Sequence, residues 1–285
     1  MTRSVCAYGS RSKGTGKTHQ YAKGSTAMAE FRGLFPPLIT PFDEQGRVNE
    51  TELRNHVDFV VDNGIDGFCA GSSTGEFMNL TRGEWERVLQ ISKEQNAGRV
   101  PMIAGAADMS TPATIERCRF AEDMGYDGLL IISPWYQVHT MREIYAHFKA
   151  VRDAVSIPIM IYNNPPVTGI DLTLDVLTRM TEDGIIQYIK DANSDPYMLG
   201  RLKMTLGDKL KLFYGHDNNA MGAFAFGATG WVSGASNFDP ARWSKIIHLC
   251  IDDGDFAAAR KVWYEIMPFM DLVTVGRHGE RPDWI

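Results

Sequence analysis

Ile185-Ile186-Gln187-Tyr188-Ile189-Lys190-Asp191 is the stretch on which the reading of this chain turns. A short, nearly all-apolar run rich in β-branched residues reads as a strand buried on both faces. Its abrupt end at a charged pair places a lysine at the strand's C-terminal tip. Similar runs lie on either side, at 34–40, 67–71, 101–106, 128–133, 158–162, 210–214 and 230–234. They recur roughly every 25–30 residues, the length of one strand-plus-helix unit.

The intervening stretches read as helices. Residues 50–63 carry Leu53, Val57, Val60 and Val61 on one face. Residues 81–95 open on Thr81-Arg82-Gly83-Glu84, a capping-box pattern. Residues 111–124 follow Ser110 as cap, with Pro112 in the first turn. Further helices are expected at 140–154, 172–182, 198–206 and 218–226, then from Asp239-Pro240 onward and over 255–267. Strict alternation of strands and helices specifies an α/β protein. About eight such units specify a (β/α)8 TIM barrel with a C-terminal helical extension, for which about 250 residues is typical. The expected organisation is a tail over 1–30, the barrel over 31–240 and C-terminal helices over 241–285.

Composition narrows the function. The 285 residues are 44% hydrophobic and 22% charged, enough to bury a sizeable core. A net charge of −6 disfavours nucleic acid as a partner, because phosphate binding needs a basic face. Cys6, Cys69, Cys118 and Cys250 are widely spaced, which suggests neither a disulfide framework nor a zinc cluster. The seven histidines show no HxH or HExxH spacing, so no metal is expected. No apolar run approaches the ~18 residues of a membrane span. The first 28 residues carry Arg3, Arg11, Lys13, Lys17 and Lys23 and no acid. They read as a disordered tail ahead of an internal start at Met28, or as an organelle transit peptide; the expected location is cytoplasmic, with import left open. Gly14-Thr15-Gly16-Lys17-Thr18 is not a P-loop, because Arg11 stands at the required first glycine and no strand precedes it.

In a barrel of this kind, chemistry sits at the C-terminal ends of the strands. Those ends read Ser72-Ser73-Thr74-Gly75-Glu76, Ser133-Pro134-Trp135-Tyr136, Tyr162-Asn163-Asn164-Pro165, Lys190-Asp191-Ala192-Asn193, Gly215-His216-Asp217-Asn218 and Ser233-Gly234-Ala235-Ser236. Lys190, carried into a barrel mouth, loses hydration, which favours an uncharged amine able to form an imine with a ketone. The alternative is a strand-end lysine that reaches solvent or pairs with Asp191. Tyr162 ends the preceding strand, about 4.8 Å away. Its phenol either shuttles protons or caps the core as an ordinary aromatic. The Ser73-Thr74-Gly75 turn either binds an anion such as a carboxylate or caps the next helix. Trp135-Tyr136 reads as packing.

Together these segments resemble the dihydrodipicolinate synthase / N-acetylneuraminate lyase family over nearly the whole chain, from about Phe31 to Trp284. The motifs are Pro37-Leu38-Ile39-Thr40-Pro41-Phe42, Ser72-Ser73-Thr74-Gly75-Glu76 (the family's G-T/S-T-G-E), Tyr162-Asn163-Asn164-Pro165 (Y-N-x-P) and Ile189-Lys190-Asp191 (I-K-D/E). The resemblance implies that Lys190 forms a Schiff base with a 2-oxo acid and that Tyr162 is the acid/base phenol above it. Ser73 and Thr74 would hold the pyruvoyl carboxylate, and Gly215 and Val232 would line the pocket. Tyr136 would enter a neighbouring subunit's site, which implies a dimer or tetramer. The imine itself accepts the electrons, so no cofactor is expected.

Two departures refine the expectation. The family's synthase branch has an arginine shortly after Y-N-x-P that binds a second carboxylate; here Val167 stands there, and valine forms no such pair. The Val-Thr-Gly segment, Gly75-Glu76-Phe77 and Ser236-Asn237-Phe238 look more like the branch acting on 2-keto-3-deoxy sugar acids. The chain also stops at Trp284-Ile285, earlier than relatives do. The expected function is a class I aldolase cleaving a 2-keto-3-deoxy sugar acid to pyruvate and an aldehyde, with Thr168, Asp217 and Ser236 lining the outer pocket. Dihydrodipicolinate synthase chemistry, a dehydratase or deaminase outcome, and a non-catalytic keto-acid-binding barrel are the alternatives. The sequence leaves the aldehyde partner and the stereochemistry open.

Overall fold

The computed structural model describes residues 30–193 and 195–274. The basic leader, the Gly14–Thr18 string and Trp284-Ile285 lie outside the described residues.

Among the described residues, eight parallel strands form one sheet in the order β1-β8-β7-β6-β5-β4-β3-β2. They are β1 (Gly33–Leu34), β2 (Phe68–Ala70), β3 (Met102–Gly105), β4 (Gly128–Ile132), β5 (Ile159–Asn163), β6 (Tyr188–Asp191), β7 (Lys211–Tyr214) and β8 (Gly230–Trp231). A parallel bridge between Pro37 and Cys69 joins the two ends, with Leu38 N donating to Cys69 O and Cys69 N to Pro36 O. The sheet therefore closes into the (β/α)8 barrel. β1 is shorter than the expected 34–40 because Pro36 and Pro37 have no N–H to contribute to a ladder. β8 is shorter than expected too, although Val232 N still donates to Tyr214 O beyond its end.

Helices α1 (Glu50–Asp62), α2 (Arg82–Asn96), α3 (Thr111–Asp123) and α4 (Met141–Ala154) follow the first four strands. Thr81 and Thr140 each head a reciprocal capping box with Glu84 and Glu143, and the Ser110 hydroxyl accepts from Ala113 N. A short helix not foreseen from the sequence, α5 (Pro165–Thr168), precedes α6 (Leu174–Glu182). Then come α7 (Tyr197–Leu206), α8 (Ala220–Ala225), α9 (Pro240–Ile251) and α10 (Phe256–Thr274). α9 packs on β1, and α10 packs on α9. α10 runs past the expected 267, through Pro268. No helix among the described residues is long and apolar enough to cross a membrane.

The core is continuous. Leu34, Phe35, Phe68, Phe213 and Ile189 fill the barrel region, while Trp85, Phe148 and Trp243 seal helices onto it. Full burial of each such side chain contributes about 1.5–3 kcal/mol.

At the N-terminal face, Asp66 Oδ2 accepts from Leu34 N (2.8 Å) and faces His248 Nε2 (3.0 Å). The other ring nitrogen of His248 meets Asp252 Oδ2 at 2.5 Å. A Cβ on Gly33, whose φ is +91°, would fall on the Asp66 carboxylate, so only glycine fits. These contacts raise the His248 pKa to about 9, first through the Asp66 hydrogen bond and then through the charges of Asp66 and Asp252, against the effect of burial.

The unfolded value is about 6.5. The stabilisation is therefore complete below about 6.5 and is lost as pH rises through about 9. The His248→Gln variant should lose about 1–2 kcal/mol at pH 6, after allowing for solvent screening, and much less at pH 9.5. Thermal melts of both proteins across that range check this; a deficit independent of pH would sink it.

Candidate active site

Lys190 and Tyr162 are register partners across β5 and β6. Residues paired in a parallel ladder point to the same side of the sheet. Lys190 Nζ lies 3.8 Å from the centre of the Tyr162 ring. Lys190 is 4% exposed and Tyr162 7%. Among the described residues no carboxylate reaches ion-pairing distance of Lys190. Asp191, its sequence neighbour, faces the other way and is engaged elsewhere, so the amine is not neutralised by the residue beside it.

Glycine makes room for the lysine. A Cβ on Gly215, just beyond β7, would lie 2.7 Å from both Lys190 Cγ and Cε. Gly215 N also donates to Asp191 O (2.7 Å), fixing the two strand ends together. Gly105 is needed for a similar reason, because a Cβ there would sit 2.6 Å from Gly71 O and Ser72 Cα. Trp85 Nε1 reaches Gly105 O at 3.0 Å and holds this crossing in place.

Ser73 faces the barrel mouth. With Ser72, Phe77, Gly105, Ala107, Leu130, Ile132 and Tyr162 it lines a small cavity. Ser73–Gly75 form a single 3₁₀ turn, closed by Glu76 in the left-handed region at φ 57°. Thr40 Oγ1 donates to Gly75 O (2.7 Å) and fixes that turn against the segment that follows β1. Thr74 is exposed on the turn. A Cβ on Gly234 would be 3.9 Å from both Thr74 Oγ1 and Asp217 Oδ2. The loops after β2, β7 and β8 therefore converge.

Asp217 Oδ2 accepts from Ala235 N (3.1 Å), while Oδ1 is buried without a hydrogen-bond partner among the described residues. Burial holds the Asp217 carboxyl above its usual range, opposed by the Ser233 hydroxyl, the Ala235 amide and the charges of His216 and Lys190. Burial likewise lowers His216, and the Lys190 charge lowers it further. His216 was not assigned from the sequence; its only signal was adjacency to Gly215 at a strand end.

The remaining expected residues are placed differently. Val232 is buried and extends the β7–β8 pairing. The Thr168 hydroxyl is engaged by its own turn, through Asn164 O (3.1 Å), Ile170 O (3.0 Å) and Ile170 N. Ser236, fully buried, donates to Ser233 O at 2.7 Å. Tyr136 is 84% exposed on the loop after β4. Its neighbour Trp135 packs edge-on against Phe77, at 5.5 Å between ring centres.

A partly buried polar clasp lies behind the lysine, and sequence reasoning missed it. Asn163 Nδ2 donates to both Asp191 Oδ1 and Asp171 Oδ1, each at 2.9 Å. Asn193 Nδ2 reaches the same two oxygens at 3.2 Å. Asp191 is raised to about 6, chiefly by burial and also by the Asp171 charge, against hydrogen bonds from Asn163 and Asn193. The clasp ties the ends of β5 and β6 to the segment that leads into α6. Asp171 gave no motif signal, because it meets Asp191 only through the fold.

The profile of the Dihydrodipicolinate synthetase family matches residues 30–278. The 4-hydroxy-tetrahydrodipicolinate synthase of Bradyrhizobium diazoefficiens is 35% identical over 242 residues, covering 85% of this chain and 81% of that one. The enzyme of the same name from Rhizobium meliloti is 36% identical over 239 residues, covering 84% and 81%. Among solved structures, dihydrodipicolinate synthase from Aquifex aeolicus superposes with a TM-score of 0.83 at 31% identity, covering 87% of this chain and 84% of that one. CdNal from Clostridium difficile, solved in complex with mannosamine, gives 0.82 at 26%, covering 86% and 84%. A closed barrel with a buried lysine at the end of its sixth strand is the frame of an aldolase-type lyase. The chain belongs to the dihydrodipicolinate synthetase family.

The Gly215→Ala substitution should leave the fold intact, because Gly215 lies outside the left-handed region, yet displace the Lys190 side chain. Circular dichroism should be unchanged while borohydride trapping of pyruvate falls about tenfold or more, a loss of roughly 1.4 kcal/mol in the trapped step. Wild-type trapping in the variant would refute the packing argument.

Proposed function

We propose that this protein is a Schiff-base aldolase that cleaves a 2-keto-3-deoxy sugar acid to pyruvate and an aldehyde. The observation that carries the reading is the buried Lys190 amine, without a carboxylate partner among the described residues and 3.8 Å from the centre of the Tyr162 ring. The Lys190 amine attacks the C2 carbonyl to give a carbinolamine. The Tyr162 phenol donates its proton to the departing hydroxyl, water leaves, and an iminium and a phenolate remain. The phenolate then takes the proton of the C4 hydroxyl. The C3–C4 bond breaks, its electron pair forms the C2=C3 bond, and the iminium nitrogen becomes the neutral nitrogen of an enamine. The aldehyde departs. Tyr162 returns its proton to C3, regenerating the iminium; water then hydrolyses it to pyruvate and free Lys190, and the proton released restores the Tyr162 phenol. No cofactor or metal is required in this scheme.

Ser73 is suited to hold the substrate carboxylate, because it lines the same cavity as Tyr162; Thr74 lies beside it on the turn. Gly215 and Val232 would flank the imine, and Asp217 would meet the outer hydroxyls. Thr168 and Ser236 would then act by shaping the loops that carry them. Val167, 50% exposed, supports a substrate whose outer end is neutral. We place Tyr136 at the site of a second copy of the chain, in a homo-oligomer.

The curated relatives' names favour a second reading, condensation of pyruvate with aspartate semialdehyde. Direct assays separate the two. Pyruvate release from a panel of 2-keto-3-deoxy acids should exceed condensation with aspartate semialdehyde, and Lys190→Ala should abolish turnover and the borohydride adduct. Faster condensation would transfer the assignment to the synthase reaction. Trapped pyruvate without turnover of any substrate would leave a keto-acid-binding barrel.

A further inference from the structure

We propose that Asn164 is a positioning residue that acts through the phenol of Tyr162; this rests on the acid/base role proposed for that phenol. Asn164 Nδ2 donates to Tyr162 Oη at 2.9 Å. Asn163, the last residue of β5, and Asn164, just beyond it, thus have separate tasks. Asn163 turns into the carboxylate clasp, and Asn164 turns back over the barrel mouth to the phenol.

The local sequence frees Asn164 for this task. It occupies the N-cap of α5, where an asparagine side chain ordinarily accepts from the amides of the second or third helical residue. Here the first two helical residues are Pro165 and Pro166, which have no N–H. The next two amides, of Val167 and Thr168, are both taken at 3.0 Å by the backbone oxygen of Asn164, which also accepts from the Thr168 hydroxyl. No cap bond is made by the Asn164 side chain. The main chain of Asn164 is anchored while its amide is released toward Tyr162.

The chemical consequence follows from donor and acceptor counts. A phenol has one proton to give and an oxygen that accepts. With Asn164 filling an acceptor position, the phenol's own proton is left to point at the reacting carbon or oxygen. When Tyr162 has given up that proton, the hydrogen bond from Asn164 becomes charge-assisted and strengthens. The contact therefore favours each proton-transfer state over the resting state, which is what accelerates a step. Attack of Lys190 on the carbonyl does not depend on it.

The test uses full-length enzyme with pyruvate in D₂O. Two quantities are read: the borohydride adduct at Lys190 and hydrogen–deuterium exchange at C3 of pyruvate. Asn164→Ala and Asn164→Asp should both reach the wild-type extent of adduct once equilibrated with saturating pyruvate, while exchange falls about tenfold or more, in kcat with little change in KM. Asn164→Asp should be the slower, because its carboxylate accepts the phenol's proton instead of donating. In a Tyr162→Phe background, Asn164→Ala should produce no further loss. Exchange within twofold of wild type in both variants, or a full additional loss in the Tyr162→Phe background, would overturn the role of Asn164. Absence of an adduct in the wild-type enzyme would instead overturn the Schiff-base reading on which it rests.

Discussion

The register between β5 and β6 is the constraint on which the rest of the site depends. It sets Tyr162 opposite Lys190, both facing inward at the same height of the barrel. A slip of one residue would turn Lys190 toward the helical layer and bring Asp191 into the mouth. The clasp of Asn163, Asn193, Asp171 and Asp191 opposes such a slip, because the amides reach Asp191 Oδ1 only when Asp191 faces outward. A buried carboxylate without those amides would be costly. The same polar group that looks expensive in isolation thus specifies which face of β6 carries the amine.

Close approach is the second requirement. Lysine is long, and a barrel interior is densely packed. Gly215 gives the methylenes of Lys190 a wall without a side chain, and Gly105 lets the turn after β2 descend onto β3. Asp217 and Thr74 come together from loops far apart in the chain. The polar groups at the mouth are therefore supplied by β2, β5, β6, β7 and β8, while β1 contributes closure through its proline pair.

The C-terminal and N-terminal faces divide the work. The charged groups at the bottom, Asp66, His248, Asp252 and Arg32, pair with one another and with the backbone of β1. At the top, among the described residues, Lys190 has no ion-pair partner and Asp217 Oδ1 has no hydrogen-bond partner. Satisfied polar groups stabilise a fold, and incompletely satisfied ones at a strand-end cleft are what a substrate can complete.

The sequence by itself determined the barrel. Eight apolar runs with period-3.6 stretches between them need long-range closure to bury both faces, and few architectures provide it. It also marked Lys190 and Tyr162, because a charged or phenolic residue ending an apolar strand stands out against its neighbours. Only the tertiary structure decided what those residues meet. The Asp171–Asp191 clasp, the Gly215 wall and the turn of Asn164 toward the phenol depend on which way a side chain faces once neighbouring strands and loops are in place. Local pattern records periodicity and composition, whereas a contact between loops distant in sequence exists only after the barrel has closed.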